Sequence, residues 1–158
     1  MTAQSRTKIS LKHSGSSLLG SLTDKLTLSS DKATTMALKP YLALDCFVRK
    51  QGTNSLFGTL VQYAVVTELL CQKGYQPESA SSVEAAQRHL INVSKRGAST
   101  GQWIFEREEY DAMCQFLAVF SKQLSNVSPK DLREANLDMM EQLLTRIATK
   151  PAAQAAEV

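Results

Sequence analysis

Residues that could perform catalysis are few in this sequence and lie far apart along it. The chain has two histidines, His13 near the N-terminus and His89 in a stretch with helical spacing. A cysteine nucleophile needs a base within hydrogen-bond reach, so a Cys114–His89 pair is one candidate. A partly exposed helical histidine is the simpler interpretation. We therefore predict no catalytic residue and a protein that is not an enzyme.

The three cysteines, Cys46, Cys71 and Cys114, give no indication of metal chemistry. They form no close pair, and none has a histidine or a second cysteine at the spacing of a zinc site. Each lies among apolar neighbours, which is typical of a small buried residue. We predict free, buried thiols in a reducing, cytoplasmic compartment, with no metal site and no cofactor.

Acidic residues cluster at one place, Glu106, Glu108, Glu109 and Asp111. Paired carboxylates can act as acid and base or bind a metal, but no H-E-x-x-H pattern accompanies them. Negative side chains are also favoured at the positive N-terminal end of a helix. We interpret this cluster as the exposed start of a helix that begins near Glu106.

The segment from Lys95 to Gly101, KRGASTG, could form an anion-binding loop because it combines cations, hydroxyls and glycines before a helix. It is not a Walker A motif, in which the Lys-[Ser/Thr] pair follows the second glycine. A helix cap followed by an ordinary loop is the simpler interpretation of the segment. The alternative is a contact to phosphate or nucleic acid, with Trp103 close enough to stack on a base. The candidate contact residues are Lys95, Arg96, Ser99 and Thr100.

The positive charge of the chain is concentrated at its N-terminal end. The 158 residues carry a net charge of +3, while residues 1–39 carry six Lys/Arg against two Asp, or +4. Serine and threonine are abundant up to Thr35, and no aromatic residue precedes Tyr41. We predict that residues 1–38 form a disordered basic tail through which nucleic acid could bind.

Within this tail, four leucines have the spacing of a short helix face: Leu18, Leu19, Leu22 and Leu26. Chance in a flexible tail is one interpretation. The other is a segment that folds against a partner or against its own domain. The lack of acidic residues before Asp24 also fits an organellar targeting segment loosely.

Residues 39–149 show the periodicity of an all-α protein, a compact four- to five-helix bundle. The folded region is predicted to begin near Lys39 and Pro40, and the apolar run from Tyr41 to Val48 that follows is interpreted as a helix or, alternatively, a strand. The segment from Leu56 to Lys73 is apolar on most sides, so it should be the central helix, while its polar interruptions exclude a membrane span. A third helix should run from Ser82 to Lys95, with Ser81 as its cap and Gly97 as its stop.

The last helix should open at Ser128 and Pro129 and end near Thr149, before a frayed Ala-rich end over residues 150–158. It has two apolar faces, one with Leu132 and one with Leu137. Two faces indicate packing against the domain and against a partner or a second copy; a loosely packed end is the alternative. The predicted partner-binding residues are Leu137, Met139, Met140, Leu143, Leu144 and Ile147, together with Trp103.

These features predict a non-enzymatic regulatory or adaptor protein that acts by protein–protein binding, including self-association, through helical surfaces. The alternative is a nucleic-acid-associated accessory factor, such as one encoded by a bacterial plasmid or phage. No membrane is expected among its partners.

Overall fold

The computed structural model describes residues 27–154, and their side chains as far as residue 145. This part of the chain forms a bundle of five α-helices without strands, which confirms the predicted all-α class. A short 3-10 helix, Pro77–Ser79, precedes the third of them. The α-helices are α1 Ser30–Val48, α2 Asn54–Gln72, α3 Ala80–Thr100, α4 Arg107–Leu124 and α5 Pro129–Gln154.

Helix α2 lies at the centre of the bundle and packs against the four other helices. The hydroxyl of Thr53 caps it by accepting a hydrogen bond from the amide of Leu56, at 3.2 Å. No charged residue occurs between Lys50 and Glu68, so the helix can be buried on several sides without desolvating a charge. The predicted central role of this segment is confirmed. Across residues 27–154 no helix has both the length and the apolar character to cross a bilayer.

The buried side chains form two main clusters along α2. One joins the first four helices and contains Phe47, Leu60 and Phe116. The other joins α2 and α4 to α5 and contains Leu70 and Phe120. The predicted burial of the thiols holds fully for Cys71, whereas Cys46 and Cys114 are partly buried.

Helix α1 begins at Ser30, well before the predicted start at Pro40. Met36 and Ala37 pack against the second cluster. One side of this Ser/Thr-rich segment therefore contacts the core, which its composition did not indicate. Pro40 lies inside the helix and is buried, although it cannot donate the intrahelical bond to residue 36. The last residues of the predicted tail, 30–38, are therefore helical, while residues 1–26 lie outside the described part.

Helix α3 is longer than predicted at both ends. It begins at Ala80, so Ser81 is inside it, and no side-chain cap is formed at Ser79. Gly97 does not stop the helix but is buried within it, because the Trp103 ring lies against this position. The helix ends at Gly101, whose φ of 72° suits a glycine. The segment from Lys95 to Thr100 is therefore helical and not a loop.

Helix α5 opens as predicted, with Pro129 as its first residue. It continues to Gln154, past the predicted end near Thr149. The sequence around Pro151 is rich in alanine, the residue with the highest helix propensity, which favours this extension.

Candidate functional site

The start of α5 is fixed by hydrogen bonds among its own first residues and by contacts with Lys73 and Tyr75, just beyond the end of α2. The Ser128 hydroxyl accepts a bond from the Asp131 amide at 3.0 Å and donates to the Asp131 carboxylate at 2.8 Å. The Tyr75 hydroxyl donates to the same carboxylate oxygen at 2.6 Å. Lys73 pairs with Glu134 one turn further on, at 2.8 Å. These contacts orient the helix relative to the bundle.

The hydrogen bond from Tyr75, followed by that from Ser128, lowers the pKa of Asp131. The same bond to Asp131, together with burial, raises the pKa of Tyr75. A carboxyl whose pKa is lower in the folded state stabilises the fold above its unfolded-state pKa of about 3.9. That contribution is lost as the pH falls through the lower, folded-state pKa.

We therefore expect Asp131→Asn to reduce the free energy of unfolding by about 1 kcal/mol at neutral pH, because neutral hydrogen bonds replace charge-assisted ones. The difference from the wild type should stay constant above about pH 5 and shrink below about pH 4. Urea denaturation across this range measures it. Asp138→Asn, at an exposed position of the same helix, is the control, and an equal effect there would contradict the assignment.

The inner face of α5 completes the second core cluster. Leu132 and Ala135 are buried, and Met139 is 7% exposed. Leu143, one turn beyond Met139, is partly buried against the same cluster. These side chains contribute to folding, and the three buried ones, Leu132, Ala135 and Met139, are covered by the bundle.

The outer face of α5 carries three large apolar side chains, Leu137, Met140 and Leu144. They are between 55% and 64% exposed. Their spacing of i, i+3 and i+7 places them in line along one side of the helix, so they form a continuous strip, which we call the outer stripe. Single exposed apolar residues are common on proteins, whereas an aligned group is typical of an interaction surface.

The structure thus divides the predicted partner-binding residues. Met139 is buried in the core, and Leu143 is partly buried against it. The side chain of Ile147 lies outside the described part. Periodicity identified both faces of the helix, but it could not show which one the bundle buries.

Trp103 is also placed differently from the prediction. Its ring is partly buried and packs against Phe57 in a tilted arrangement, with the ring centroids 4.9 Å apart. A Cβ atom at Gly97 would lie 2.6 Å from the same ring. Trp103 therefore packs the segment between α3 and α4 against the bundle, which leaves its ring only partly exposed.

The predicted anion-binding loop is replaced by the last turns of α3. The hydroxyls of Ser99 and Thr100 donate to the Arg96 carbonyl at 3.0 and 2.8 Å. Arg96 donates to the Ile104 carbonyl at 2.9 Å and pairs with Glu109, while the Lys95 side chain is exposed. The C-terminal end of a helix carries partial negative charge, which disfavours an anion there.

The acidic cluster does form a helix start, as predicted. Glu106 and Glu109 make a capping box at the first turn of α4. The expectation that the whole cluster is exposed was wrong for Glu109, which is buried. Its carboxylate lies 2.5 Å from the Arg96 guanidinium, and this hydrogen bond raises the pKa of Arg96. From the sequence, both Arg96 and Glu109 were expected at the surface, and their pairing was not predicted.

Among the described side chains, no hydrogen bond joins the candidate pair Cys114 and His89. The Cys114 thiol is hydrogen-bonded to the Tyr110 phenol, a contact that raises the pKa of Tyr110. Burial raises the pKa of the Cys71 thiol, which disfavours the reactive thiolate. Within residues 27–154, no three His, Cys, Asp or Glu side chains are arranged to hold a metal ion. His13 lies outside the described residues.

No protein-family model matches the chain, and neither a curated protein nor a solved structure is significantly similar to it. Functional inference therefore depends on the surface of the bundle, where the outer stripe is the apolar surface that α5 exposes.

Proposed function

We propose that the chain is a non-enzymatic regulatory or adaptor protein that binds another protein through the outer stripe. The observation that supports this is the exposure of Leu137, Met140 and Leu144 on a helix whose opposite face already fills the core. Neither folding nor a described contact uses the outer face.

The spacing suits recognition by a partner that offers an apolar groove. Side chains at i, i+3 and i+7 are the anchors by which helices commonly dock into such grooves. Burying each one contributes about 1.5–3 kcal/mol, and this gain must exceed the cost of immobilising the two proteins.

Charged residues beside the stripe would orient the partner. Arg133 precedes Leu137 by one turn and continues the line of the stripe, and arginine is enriched among residues that dominate binding energy. Glu141 lies at one side. Both are exposed. We infer that the partner places an acidic group near Arg133 and a basic group near Glu141.

The test is to replace Met140 with glutamate and compare the proteins captured from the native cell with those captured by the wild type. We expect Met140→Glu to reduce recovery of the specific partner at least tenfold, or about 1.4 kcal/mol, with helicity unchanged. Quantitative mass spectrometry measures recovery, and circular dichroism measures helicity.

Ile91→Glu is the matched control, because Ile91 is also 55% exposed but lies on α3. It should leave recovery unchanged. Met139→Glu should instead unfold the bundle, since it buries a charge in the core. Equal recovery of every specific protein by the wild type and Met140→Glu would contradict the proposal.

The alternative function, a nucleic-acid-associated accessory factor, keeps the +4 charge of residues 1–39 as its support. The second support for this alternative was the predicted anion-binding loop that includes Arg96. That support is lost because Arg96 already binds Glu109 and the Ile104 carbonyl. If nucleic acid is the ligand, the captured complex should dissociate on nuclease treatment and with rising salt. If a protein binds through the outer stripe, the complex should resist nuclease.

A further inference from the structure

A pocket of about 440 Å³ lies between the C-terminal end of α1 and the N-terminal end of α4. Binding sites for small molecules commonly have volumes of about 300–1,000 Å³, with mostly apolar walls and a few polar groups that orient the ligand. The lining includes three aromatic side chains, Phe47, Phe105 and Tyr110, and two cations, Lys50 and Arg107, but no acidic residue. Its size and composition are therefore those of a site for a small, partly apolar anion.

The aromatic side chains form the fixed part of the pocket. Phe47 is buried, and its ring packs against that of Phe105 with the centroids 4.7 Å apart. The Tyr110 phenol is held by its hydrogen bond to the Cys114 thiol. Aromatic rings favour tilted or offset contacts with one another, and a further ring that entered the pocket could make such contacts with these walls. The walls therefore suit a flat aromatic group.

The two cations are available to a ligand. Lys50 and Arg107 are exposed, and among the described residues neither side chain forms a hydrogen bond or an ion pair. The neighbouring Arg49 differs, because it already pairs with Asp45 at 2.7 Å. The N-terminal end of α4 adds partial positive charge, which offsets the partial negative charge at the end of α1. An anion in the pocket would therefore find two cations without a partner.

Lys50 also occupies a backbone conformation that favours glycine. Its φ is 59°, and its amide donates to the Phe47 carbonyl at 3.0 Å. The Gln51 amide donates to the Cys46 carbonyl at 2.8 Å and completes the turn that ends α1. The same pair of bonds ends α2, where the left-handed position holds Gly74. A lysine at such a position costs stability, and strain of this kind is typical of binding sites.

We propose that this pocket binds a small aromatic carboxylate, with its ring among the three aromatic side chains and its carboxylate beside Lys50 and Arg107. The ring supplies apolar contact area, and the carboxylate supplies charge-assisted hydrogen bonds. None of the lining residues belongs to the outer stripe. The site is therefore independent of the partner-binding surface proposed above, and either proposal can fail without the other.

An NMR titration of the isotope-labelled full chain with phenylbutyrate tests the proposal. The chemical-shift changes should be largest at the pocket, including the amides of Ile104 and Phe105. Phenylbutanamide has the same size but no charge, so we expect it to bind at least tenfold more weakly. Equal affinities for the two compounds, or shift changes centred away from the pocket, would overturn the proposal.

Lys50→Gly separates ligand binding by Lys50 from a structural role. Because glycine suits the left-handed conformation, this variant should keep or raise the melting temperature while it weakens phenylbutyrate binding about fivefold. Arg107→Gln should weaken binding by a similar factor. Lys95→Gln is the matched control, since it removes an exposed cation of α3 that does not border the pocket, and it should leave the affinity unchanged. Unchanged phenylbutyrate affinity in both Lys50→Gly and Arg107→Gln would equally contradict the site.

Discussion

Replacing Gly52 with alanine is expected to lower the free energy of unfolding by about 3 kcal/mol, the upper end of the usual cost of overpacking. A Cβ atom there would lie 2.2 Å from the Trp103 carbonyl oxygen and 2.6 Å from the Phe47 ring. The first of these neighbours is backbone and cannot rotate away. To remove this clash, the segment between α3 and α4 that carries Trp103 would have to move away from the bundle.

Gly58→Ala is the matched control for this prediction. Gly58 lies inside α2, and a Cβ atom there would meet no atom within 4 Å. Alanine should therefore stabilise the protein by about 0.5–1 kcal/mol through its higher helix propensity. Chemical denaturation measures both variants, and a Gly52→Ala protein as stable as the wild type would show that Trp103 does not pack as described.

Glu109→Gln is expected to cost about 3 kcal/mol of unfolding free energy. The Glu109 side chain is only 7% exposed and pairs with Arg96 at two nitrogens. It also accepts a bond from the Glu106 amide at 2.8 Å. Glutamine keeps the size of the side chain but leaves the partly buried Arg96 charge with only the exposed Glu106 as a counter-ion. Leaving a buried charge poorly paired is the costly consequence of breaking such a pair.

Glu106→Gln is the matched control, since the chemical change is the same and the side chain is 72% exposed. Its 3.4 Å contact with Arg96 is a surface ion pair, expected to contribute less than about 1 kcal/mol. A double-mutant cycle of Arg96→Met with Glu109→Gln should show strong coupling between the two sites. Independent, additive effects would contradict the buried pair.

Much of this fold follows from local signals in the sequence. The Ser128–Pro129 start, the apolar character of α2 and the first turn of α4 each depend on residues close together in the chain. Helix capping and apolar periodicity act over one or two turns, so sequence reasoning can identify them.

The errors arise where distant residues decide the outcome. Gly97 has the typical features of a helix stop, yet packing of Trp103 makes it part of the helix. Arg96 resembled a free cation because its partner Glu109 is on the next helix. Ser30 to Lys39 is poor in large apolar residues, and tertiary packing of Met36 still holds it as a helix.

The candidate site shows the same limit. The sequence revealed two apolar faces on α5, but a helix wheel cannot show which of them the bundle covers. Only the structure assigns Met139 to the core and Met140 to the surface. The adjacent residues Met139 and Met140 therefore have opposite environments. The outer stripe contains fewer residues than the predicted partner-binding set.

The most direct test of the outer stripe is photo-crosslinking in the native cell, with p-benzoylphenylalanine in place of Met140 or, as a control, Ile91. Binding through the stripe predicts a specific covalent adduct from position 140, at the mass of the chain plus its partner, and no such adduct from position 91. Absence of a specific adduct from position 140, or the same adduct from both positions, would contradict a partner-binding role for this surface.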